Sequence, residues 1–347
     1  MTGVSRLVGE LVRRLPERGY SPVVAARRLP VEPLEGCRVE RVGMLSLTSR
    51  LRAASFDWAA RRCLVRARVR FVHGHGDLTR QDLLSVHNCD AAAARWVPGG
   101  RESSAGVLYV RRRQFKNCGF VLAVSDMVRR DLTKYYSVPP EKIQTVYPGV
   151  DLDRFHPRLR PEARESLRKA AGWSPETRVV LSVLSGDPDK RNFSLITRAV
   201  EIFSDRRPAA LCLVGNVRWE GDPAARRLKA RGRLHHVPAT PRVEKYFAAA
   251  DAFLLPAHYE EFGMTVLEAM ASGCPVVVSA RSGASELVRP GENGFILWEL
   301  RDPGEAVDAL DRLSSLSGAG TIARRTAELY SWDRHADEIV RIYSRWT

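Results

Sequence analysis

The sequence predicts an α/β protein built from two doubly wound domains. Its length of 347 residues is typical of two domains, and its apolar content of 44% supplies a core for each. Apolar runs of strand length alternate with helical patterns along the whole chain, as in parallel sheets that are covered by helices. No run of 18 apolar residues occurs, so a membrane-spanning helix is not expected.

The first half opens with an amphipathic helical pattern over residues 7–15, which Pro16 ends. Short apolar runs then predict strands, and a helix over residues 127–135 follows the fourth of them. The predicted strands are residues 22–26, 69–73, 83–87, 120–124 and 144–147. After Pro157, a polar and arginine-rich stretch to about Pro175 is interpreted as a connector.

The second half repeats the alternation. Helical spacing of Leu195, Ile196, Ala199 and Val200 follows the first of its strands, and a helix over residues 265–271 precedes the last. The predicted strands are residues 179–184, 210–215, 234–237, 252–255 and 275–279. In such sheets, ligands bind at the carboxyl ends of the strands.

Two acids surround the start of the helix over residues 265–271. Glu260 lies in the preceding turn, Phe262-Gly263 follows it, and Glu268 lies on the helix, with seven residues between the two acids. The free N–H groups of a helix N-terminus suit a phosphate, and a carboxylate accepts hydrogen bonds from hydroxyl groups. The segment as a whole therefore predicts a nucleotide-sugar site, although each acid taken alone would favour a helix cap or a surface position.

Glu260-x7-Glu268 with Phe262-Gly263 resembles the signature of family 4 glycosyltransferases, group 1 type, which are retaining enzymes. The family has the GT-B fold, in which two Rossmann-like domains face a cleft. The resemblance covers roughly residues 3–347, and it also includes Phe120-Val121-Leu122-Ala123-Val124-Ser125, Tyr147-Pro148-Gly149-Val150-Asp151, Phe155-His156-Pro157, Lys190 and Ser331-Trp332-Asp333. It implies an acceptor-binding domain at residues 1–157, a nucleotide-sugar-binding domain at 158–330, and a C-terminal helix at 331–347 that packs back towards the first domain.

The resemblance also implies roles for individual residues. Glu260 would contact the transferred sugar, Lys190 would neutralise charge on the departing diphosphate, and His87 would lie near the donor sugar. The donor-binding set is Ser185, Gly186, Arg191, Val237, Ala239, Phe262, Gly263, Met264, Thr265 and Glu268. The acceptor-side set is Gly3, His73 and His75.

Two features depart from the family pattern. Many relatives carry an arginine five residues before the phosphate lysine, where this chain has Ser185; the Ser-x4-Lys form resembles some lipopolysaccharide-core members. We expect Ser185 and Gly186 to bind phosphate instead, with Arg191 supplying the missing charge. The chain also starts at Thr2-Gly3, inside the family's Gly-rich loop, so the central first strand is missing and its neighbours would lose ladder partners. A misplaced start or a truncation explains this better than a natural deletion.

The positive charge lies mostly in the first half. Residues 1–157 carry a balance of +12 out of the total of +15, with runs at Arg61-Arg62, Arg66, Arg68 and Arg70 and at Arg111-Arg112-Arg113 with Lys116. Such runs fit either attraction to an anionic membrane or acceptor, or a solvated arginine-rich surface. No nucleic-acid-binding motif accompanies them, so nucleic acid is not an expected partner.

The cysteines and the N-terminus favour a cytoplasmic location. Six cysteines are scattered without a C-x-x-C pair, which predicts buried, reduced thiols. The first residues lack the apolar core of a signal peptide. We therefore expect a cytoplasmic protein, either free or peripheral on the inner face of the cytoplasmic membrane.

No metal or other cofactor is expected, because the nucleoside diphosphate sugar is a substrate. Asp187-Pro188-Asp189 is similar to the metal-binding motif of the other large glycosyltransferase fold, but it fits a turn equally well. His73, His75 and Asp77 would need a further ligand to hold a metal.

The predicted function is a retaining hexosyltransferase that moves a sugar from a nucleoside diphosphate to a hydroxyl acceptor in cell-envelope glycan or lipopolysaccharide synthesis. No nucleophile is evident for a double displacement, so same-face attack is favoured, with the leaving phosphate taking the acceptor proton. The alternatives are another GT-B activity, either a nucleotide-sugar epimerase or a phosphorylase, and a non-catalytic nucleotide-binding member that lacks its first strand. A dehydrogenase is disfavoured because no G-x-G-x-x-G follows a strand.

Overall fold

The computed structural model describes residues 3–27, 34–44, 49–76, 78–100, 105–184 and 187–345. Its strands are β1 (Val23–Ala26), β2 (Arg38–Arg41), β3 (His73–Gly74), β4 (Gln81–Val86), β5 (Cys118–Ala123), β6 (Ile143–Thr145), β7 (Arg178–Val183), β8 (Ala209–Val214), β9 (Leu234–Val237), β10 (Ala252–Leu255), β11 (Val276–Ser279) and β12 (Gly294–Leu297). Its helices are α1 (Gly3–Arg14), α2 (Ser49–Arg66), α3 (Asp90–Trp96), α4 (Ala105–Lys116), α5 (Asp126–Tyr136), α6 (Arg160–Ala171), α7 (Phe193–Arg206), α8 (Pro223–Ala230), α9 (Glu244–Ala249), α10 (Met264–Ala271), α11 (Gly304–Ser314), α12 (Ala319–Glu328) and α13 (Trp332–Tyr343).

The described residues form two compact units. Unit 1 contains those within 1–94, 101–149 and 332–347, and unit 2 contains those within 95–100 and 150–331. Both units have parallel sheets and helices, which is the α/β architecture that the sequence predicts. The assignment of residues 1–157 to an acceptor and of residues 158–330 to a nucleotide sugar stays a prediction.

Unit 2 is built on one six-stranded parallel sheet with the order β12-β11-β10-β7-β8-β9. Strands β8, β10 and β11 are buried along their whole length, as expected for central parallel strands that helices cover on both faces. In this sheet β10 is hydrogen-bonded to both β7 and β11. Because the strands are parallel, the loops that follow β7 and β10 emerge side by side at the carboxyl edge.

The predicted connector after Pro157 is wrong, because most of it is helix α6. Pro161 lies in the first turn, where a proline is tolerated, and Gly172 ends the helix in the left-handed conformation with φ of 69°. Ala163 and Leu167 lie four residues apart and are both buried. The high arginine content concealed this apolar stripe in the sequence.

The strands of unit 1 form two separate parallel sheets. One pairs β1 with β2, and the other has the order β3-β4-β5-β6. Within the described residues, β1 and β3 each pair on one side only. The strand predicted over residues 69–73 is also corrected, since the structure has only His73–Gly74 there.

The larger sheet of unit 1 packs against the first and last helices of the chain. One buried cluster joins these elements. It contains Leu11 from α1 and Leu15 just after that helix, Leu83 and Leu122 from the sheet, and Ile339 from α13. A second cluster, formed by Val42, Ala60 and Leu78, lies beneath α2. The two ends of the sequence thus stabilise the same core.

Four of the six cysteines are buried as predicted, but Cys37 and Cys63 are only partly buried. All six are free thiols. In the part of the chain that the structure describes, no helix combines the length and the apolar character needed to cross a membrane.

Candidate functional site

The loops after β7 and β10 are tied together at the carboxyl edge of the unit 2 sheet. The N–H of His258 donates to the carbonyl of Lys190 at 2.9 Å. The second loop is also held from its other side, since the N–H of Glu260 donates to the carbonyl of Arg281 and the N–H of Gly283 donates to that of Glu260, both at 2.9 Å. These backbone bonds bring residues 190–191 and 260–263 together, as the sequence predicts for a single site.

Two ion pairs lie across these loops. Lys190 Nζ is 2.8 Å from Glu261 Oε2, and Arg191 Nη2 is 3.0 Å from Glu260 Oε2. All four side chains are at most 23% exposed, so solvent screens them less than it screens surface pairs. Burial raises the pKa of Glu261; the ammonium of Lys190 opposes this rise, and the charge of Glu260 adds to it.

The helix start beside these pairs requires a glycine. Gly263 precedes α10 with φ of 91°, and a Cβ there would come within 3.0 Å of Ser282 Oγ. Ser282 Oγ in turn donates to the carbonyl of Phe262 at 2.9 Å. No side chain caps this end of α10 within the described residues. Its first residues, Met264 and Thr265, are partly buried, and their N–H groups belong to the helix end that suits an anion.

The remaining predicted donor residues are Glu268, Val237, Ala239, Ser185 and Gly186. Glu268 is on α10 and only 5% exposed. Val237 ends β9, two strands from β7 in the sheet, and the N–H of Ala239 donates to Asn216 Oδ1 at 3.0 Å. Ser185 and Gly186 lie outside the described residues.

The Asp187-Pro188-Asp189 segment forms a turn. Asp187 Oδ1 accepts hydrogen bonds from the N–H groups of Asp189 at 2.9 Å and Lys190 at 3.4 Å. Among the described residues, no group of three or more His, Cys, Asp or Glu side chains could hold a metal ion. Asp77 lies outside the described residues.

The histidines predicted from the first half form a connected cluster in unit 1. His75 Nδ1 and His87 Nε2 are 2.9 Å apart, and the rings of His73 and His75 lie 4.5 Å apart between centroids. His73 also bonds Tyr343 Oη and Ser85 Oγ, each at 2.7 Å. The third predicted acceptor-side residue, Gly3, is exposed at the start of α1 and does not belong to this cluster.

These histidines are neutral at pH 7. Burial lowers the pKa of His87 to about 4, and the charge of His335 adds to this effect. Burial also lowers the pKa of His73 to about 3, with the charges of His87 and His335 contributing. The pKa of His75 is lowered by burial as well. A neutral imidazole has one donor and one acceptor nitrogen. The contact between His75 and His87 uses one nitrogen of each ring, so their other nitrogens remain suited to hydroxyl groups.

The sequence reasoning missed Glu261 and the supporting residues of the histidine cluster. A signal for Glu261 existed, since two adjacent acids at 260–261 match two adjacent cations at 190–191. No comparable signal marks Tyr343, because it is distant in sequence and reaches His73 only through the packing of α13.

Both units are parallel and doubly wound, and the comparisons with known proteins identify the fold class as GT-B. A family model described as "Glycosyl transferases group 1" matches residues 163–327, and one described as "Glycosyltransferase Family 4" matches residues 1–154. The chain therefore belongs to the group 1 glycosyltransferases of family 4.

A curated relative is D-inositol 3-phosphate glycosyltransferase of Geodermatophilus obscurus, which is 34% identical over 62% of this chain and 50% of its own length. Spore coat protein SA of Bacillus subtilis is 26% identical over 65% of this chain and 64% of its own length. The chain thus spans between half and two thirds of the length of these relatives.

Solved structures share the fold over nearly the whole chain. WaaG, a glycosyltransferase involved in lipopolysaccharide biosynthesis, superposes with a TM-score of 0.81 at 20% identity over 99% of this chain and 96% of its own. Alr3699/HepE of Anabaena, solved in complex with UDP-glucose, gives 0.75 at 16% identity with the same coverages. At these identities the likeness shows the fold alone.

Proposed function

We propose that this protein transfers a hexose from a nucleoside diphosphate donor to a hydroxyl acceptor with retention at the anomeric carbon. The observation that carries the proposal is the grouping of Lys190 with Glu260 at the glycine-initiated start of α10. A cation and a helix N-terminus suit a diphosphate, and a carboxylate suits sugar hydroxyls. Family membership supports the reaction class, and the UDP-glucose complex of HepE supports this class of donor.

In the proposed reaction, the bond between the anomeric carbon and the phosphate oxygen breaks while a bond to the acceptor oxygen forms on the same face. The acceptor hydroxyl proton passes to the leaving diphosphate oxygen. Lys190 and the N–H groups of residues 263–265 stabilise the charge that builds on the diphosphate. Glu260 binds a hydroxyl of the transferred sugar, and Glu268 binds the ribose. No cofactor takes part in this scheme.

The acceptor is proposed to bind in unit 1. Its hydroxyl groups would meet the free nitrogens of His75 and His87, whose neutral state allows each ring to donate or to accept. A cell-envelope glycan or a lipid-linked sugar is the proposed acceptor class, because the positive charge of residues 1–157 suits an anionic acceptor or an anionic surface.

The experiment is a donor panel of UDP-glucose, GDP-mannose and ADP-glucose with candidate envelope glycans, followed by release of the nucleoside diphosphate. Glu260→Ala and Lys190→Ala should each lower turnover by about 10²-fold, the usual loss for one electrostatic contact in a transition state. Inversion in the product, measured by NMR, or near-normal turnover by both variants would refute the proposal. A changed nucleotide sugar formed without acceptor would identify an epimerase, and donor binding without turnover would identify a non-catalytic member.

We further propose peripheral contact with an anionic membrane through α2. Trp58 and Val65 on this helix are 63% and 76% exposed, and they lie seven residues apart on one helical face. The guanidinium of Arg62 lies 5.4 Å above the Trp58 ring, and Arg66 and Arg68 are exposed nearby. Exposed apolar groups flanked by arginines suit the boundary between lipid headgroups and acyl chains.

A further inference from the structure

The two ion pairs across the loops after β7 and β10 differ in how they satisfy the two acids of the turn. Lys190 Nζ donates a hydrogen bond to Glu261 at 2.8 Å. Arg191 lies 3.0 Å from Glu260 Oε2 at ion-pair distance, yet this buried oxygen has no hydrogen-bond partner among the described residues. A buried carboxylate oxygen in that state costs free energy unless a ligand donates to it.

Arg191 is the cation that faces this oxygen. Its guanidinium lies 3.0 Å from Glu260 Oε2, and a carboxylate oxygen accepts hydrogen bonds from hydroxyl groups. The position of Arg191 is itself set by its loop, since its N–H donates to the carbonyl of Pro188 at 3.2 Å.

We infer that Arg191 is a positioning residue that acts on the transferred sugar through Glu260 and not on the donor phosphates. This assignment differs from the expectation that Arg191 replaces a phosphate-binding arginine at position 185. It rests on the proposed function, because Glu260 must be the sugar-binding acid. The side chain of Arg191 is 18% exposed and paired with Glu260, whereas Lys190 retains further N–H donors for the diphosphate.

The test compares each nucleotide sugar with its bare nucleoside diphosphate. Calorimetry with UDP-glucose and UDP, GDP-mannose and GDP, and ADP-glucose and ADP first identifies the pair that the wild-type protein binds. Arg191→Ala should weaken binding of that nucleotide sugar about tenfold or more, the loss expected for a hydrogen bond to a charged group. It should leave the affinity for the bare diphosphate within about twofold, and Arg191→Lys should recover part of the loss by restoring the positive charge.

The matched control is Arg227→Ala, which removes another arginine–glutamate pair of unit 2. Arg227 Nε lies 2.5 Å from Glu201 Oε1, and its side chain is 54% exposed, so this variant should bind both ligands normally. Thermal melting of each variant separates lost binding from lost folding. Equal weakening of the diphosphate and the sugar nucleotide by Arg191→Ala would make Arg191 a phosphate ligand and overturn the inference. A wild-type protein that binds none of the six ligands would overturn the proposed function, and with it this assignment.

Discussion

At the scale of single residues, the pairing of Lys190 with Glu261 couples activity to stability. Lys190→Ala removes the ammonium that donates to the enclosed Glu261 carboxylate, and the loss of a hydrogen bond between charged groups costs about 2 kcal/mol of unfolding free energy. Adding Glu261→Gln removes the charge and should recover most of that stability. Turnover should stay about 10²-fold low in the double variant, because the diphosphate still lacks its lysine. Urea unfolding and diphosphate release measure the two effects separately.

This coupling would be refuted in either of two ways. If the double variant, Lys190→Ala with Glu261→Gln, is no more stable than Lys190→Ala alone, then the ion pair with Glu261 does not explain the contribution of Lys190 to stability. If the double variant regains turnover, Lys190 serves only to compensate Glu261 and has no part in catalysis.

The sequence indicated Lys190, Glu260 and Gly263 because each has a role that depends on residue type and local spacing. A phosphate needs a cation, a hydroxyl needs an acceptor, and a left-handed turn needs a glycine. Glu261 was not predicted because its partner, Lys190, lies 71 positions away in the sequence. The two residues come close in space only when β7 and β10 pair.

At the scale of elements, α6 shows why the supposed connector was misjudged. Arg160, Arg164 and Arg168 recur every four residues, so they lie on one helical face, and all three reach Asp251 just before β10. Asp251 Oδ2 also accepts a hydrogen bond from the N–H of Val179 at 2.8 Å. The polar composition of this segment therefore did not indicate a helix, although its arginines form ion pairs with the single acid Asp251.

Asp251 should therefore be a major contributor to the stability of unit 2. Its side chain is 9% exposed, and Asp251→Asn leaves Arg168, which is 5% exposed, without its counter-charge. Breaking such a buried network should cost about 3 kcal/mol. The control is Asp308→Asn, which breaks the exposed pair with Arg206 and should change stability by no more than about 0.5 kcal/mol. Urea unfolding measures both, and equal values would mean that the network around Asp251 contributes no more than a surface pair.

At the scale of the whole molecule, apolar periodicity predicted the parallel sheets, because buried parallel strands are continuous apolar runs. The sequence did not predict β2 (Arg38–Arg41), in which three of the four residues are charged and none is buried. It also did not predict that His335 would share unit 1 with His73, His75 and His87. That placement depends on α13 packing against the sheet of unit 1, and the expected C-terminal helix at 331–347 did not indicate which side chains it would bring there.

The buried histidines should make unit 1 sensitive to acid. Burial lowers the folded-state pKa of His335 and His87 to about 4, below the unfolded value of about 6.5, so the unfolded chain binds more protons between these values. Stability should be constant above about pH 7 and fall as the pH drops from 6.5 towards 4, by roughly 2 kcal/mol for each histidine at pH 5. Urea unfolding at pH 7.5 and pH 5 measures the difference.

His335→Gln should reduce this loss, because glutamine does not titrate and can still donate to the carbonyl of Tyr147. His236→Gln in unit 2 is the control, and its loss between the two pH values should match that of the wild type. An unchanged acid sensitivity in His335→Gln would mean that the loss arises from other groups.

The charge and the exposed apolar face of unit 1 lead to a final prediction about membranes. Vesicles with one part anionic to two parts zwitterionic lipid should sediment the protein, whereas purely zwitterionic vesicles should not, and raising the salt from about 0.1 M to 0.5 M should release it by screening. Trp58→Ser combined with Val65→Ser should weaken binding about tenfold or more, since each side chain would lose burial at the interface. Trp298→Ser is the matched control, because Trp298 is 74% exposed in unit 2 and is not part of α2. Equal binding by the α2 variant and the control would show that charge alone attracts the protein and that α2 does not enter the lipid surface.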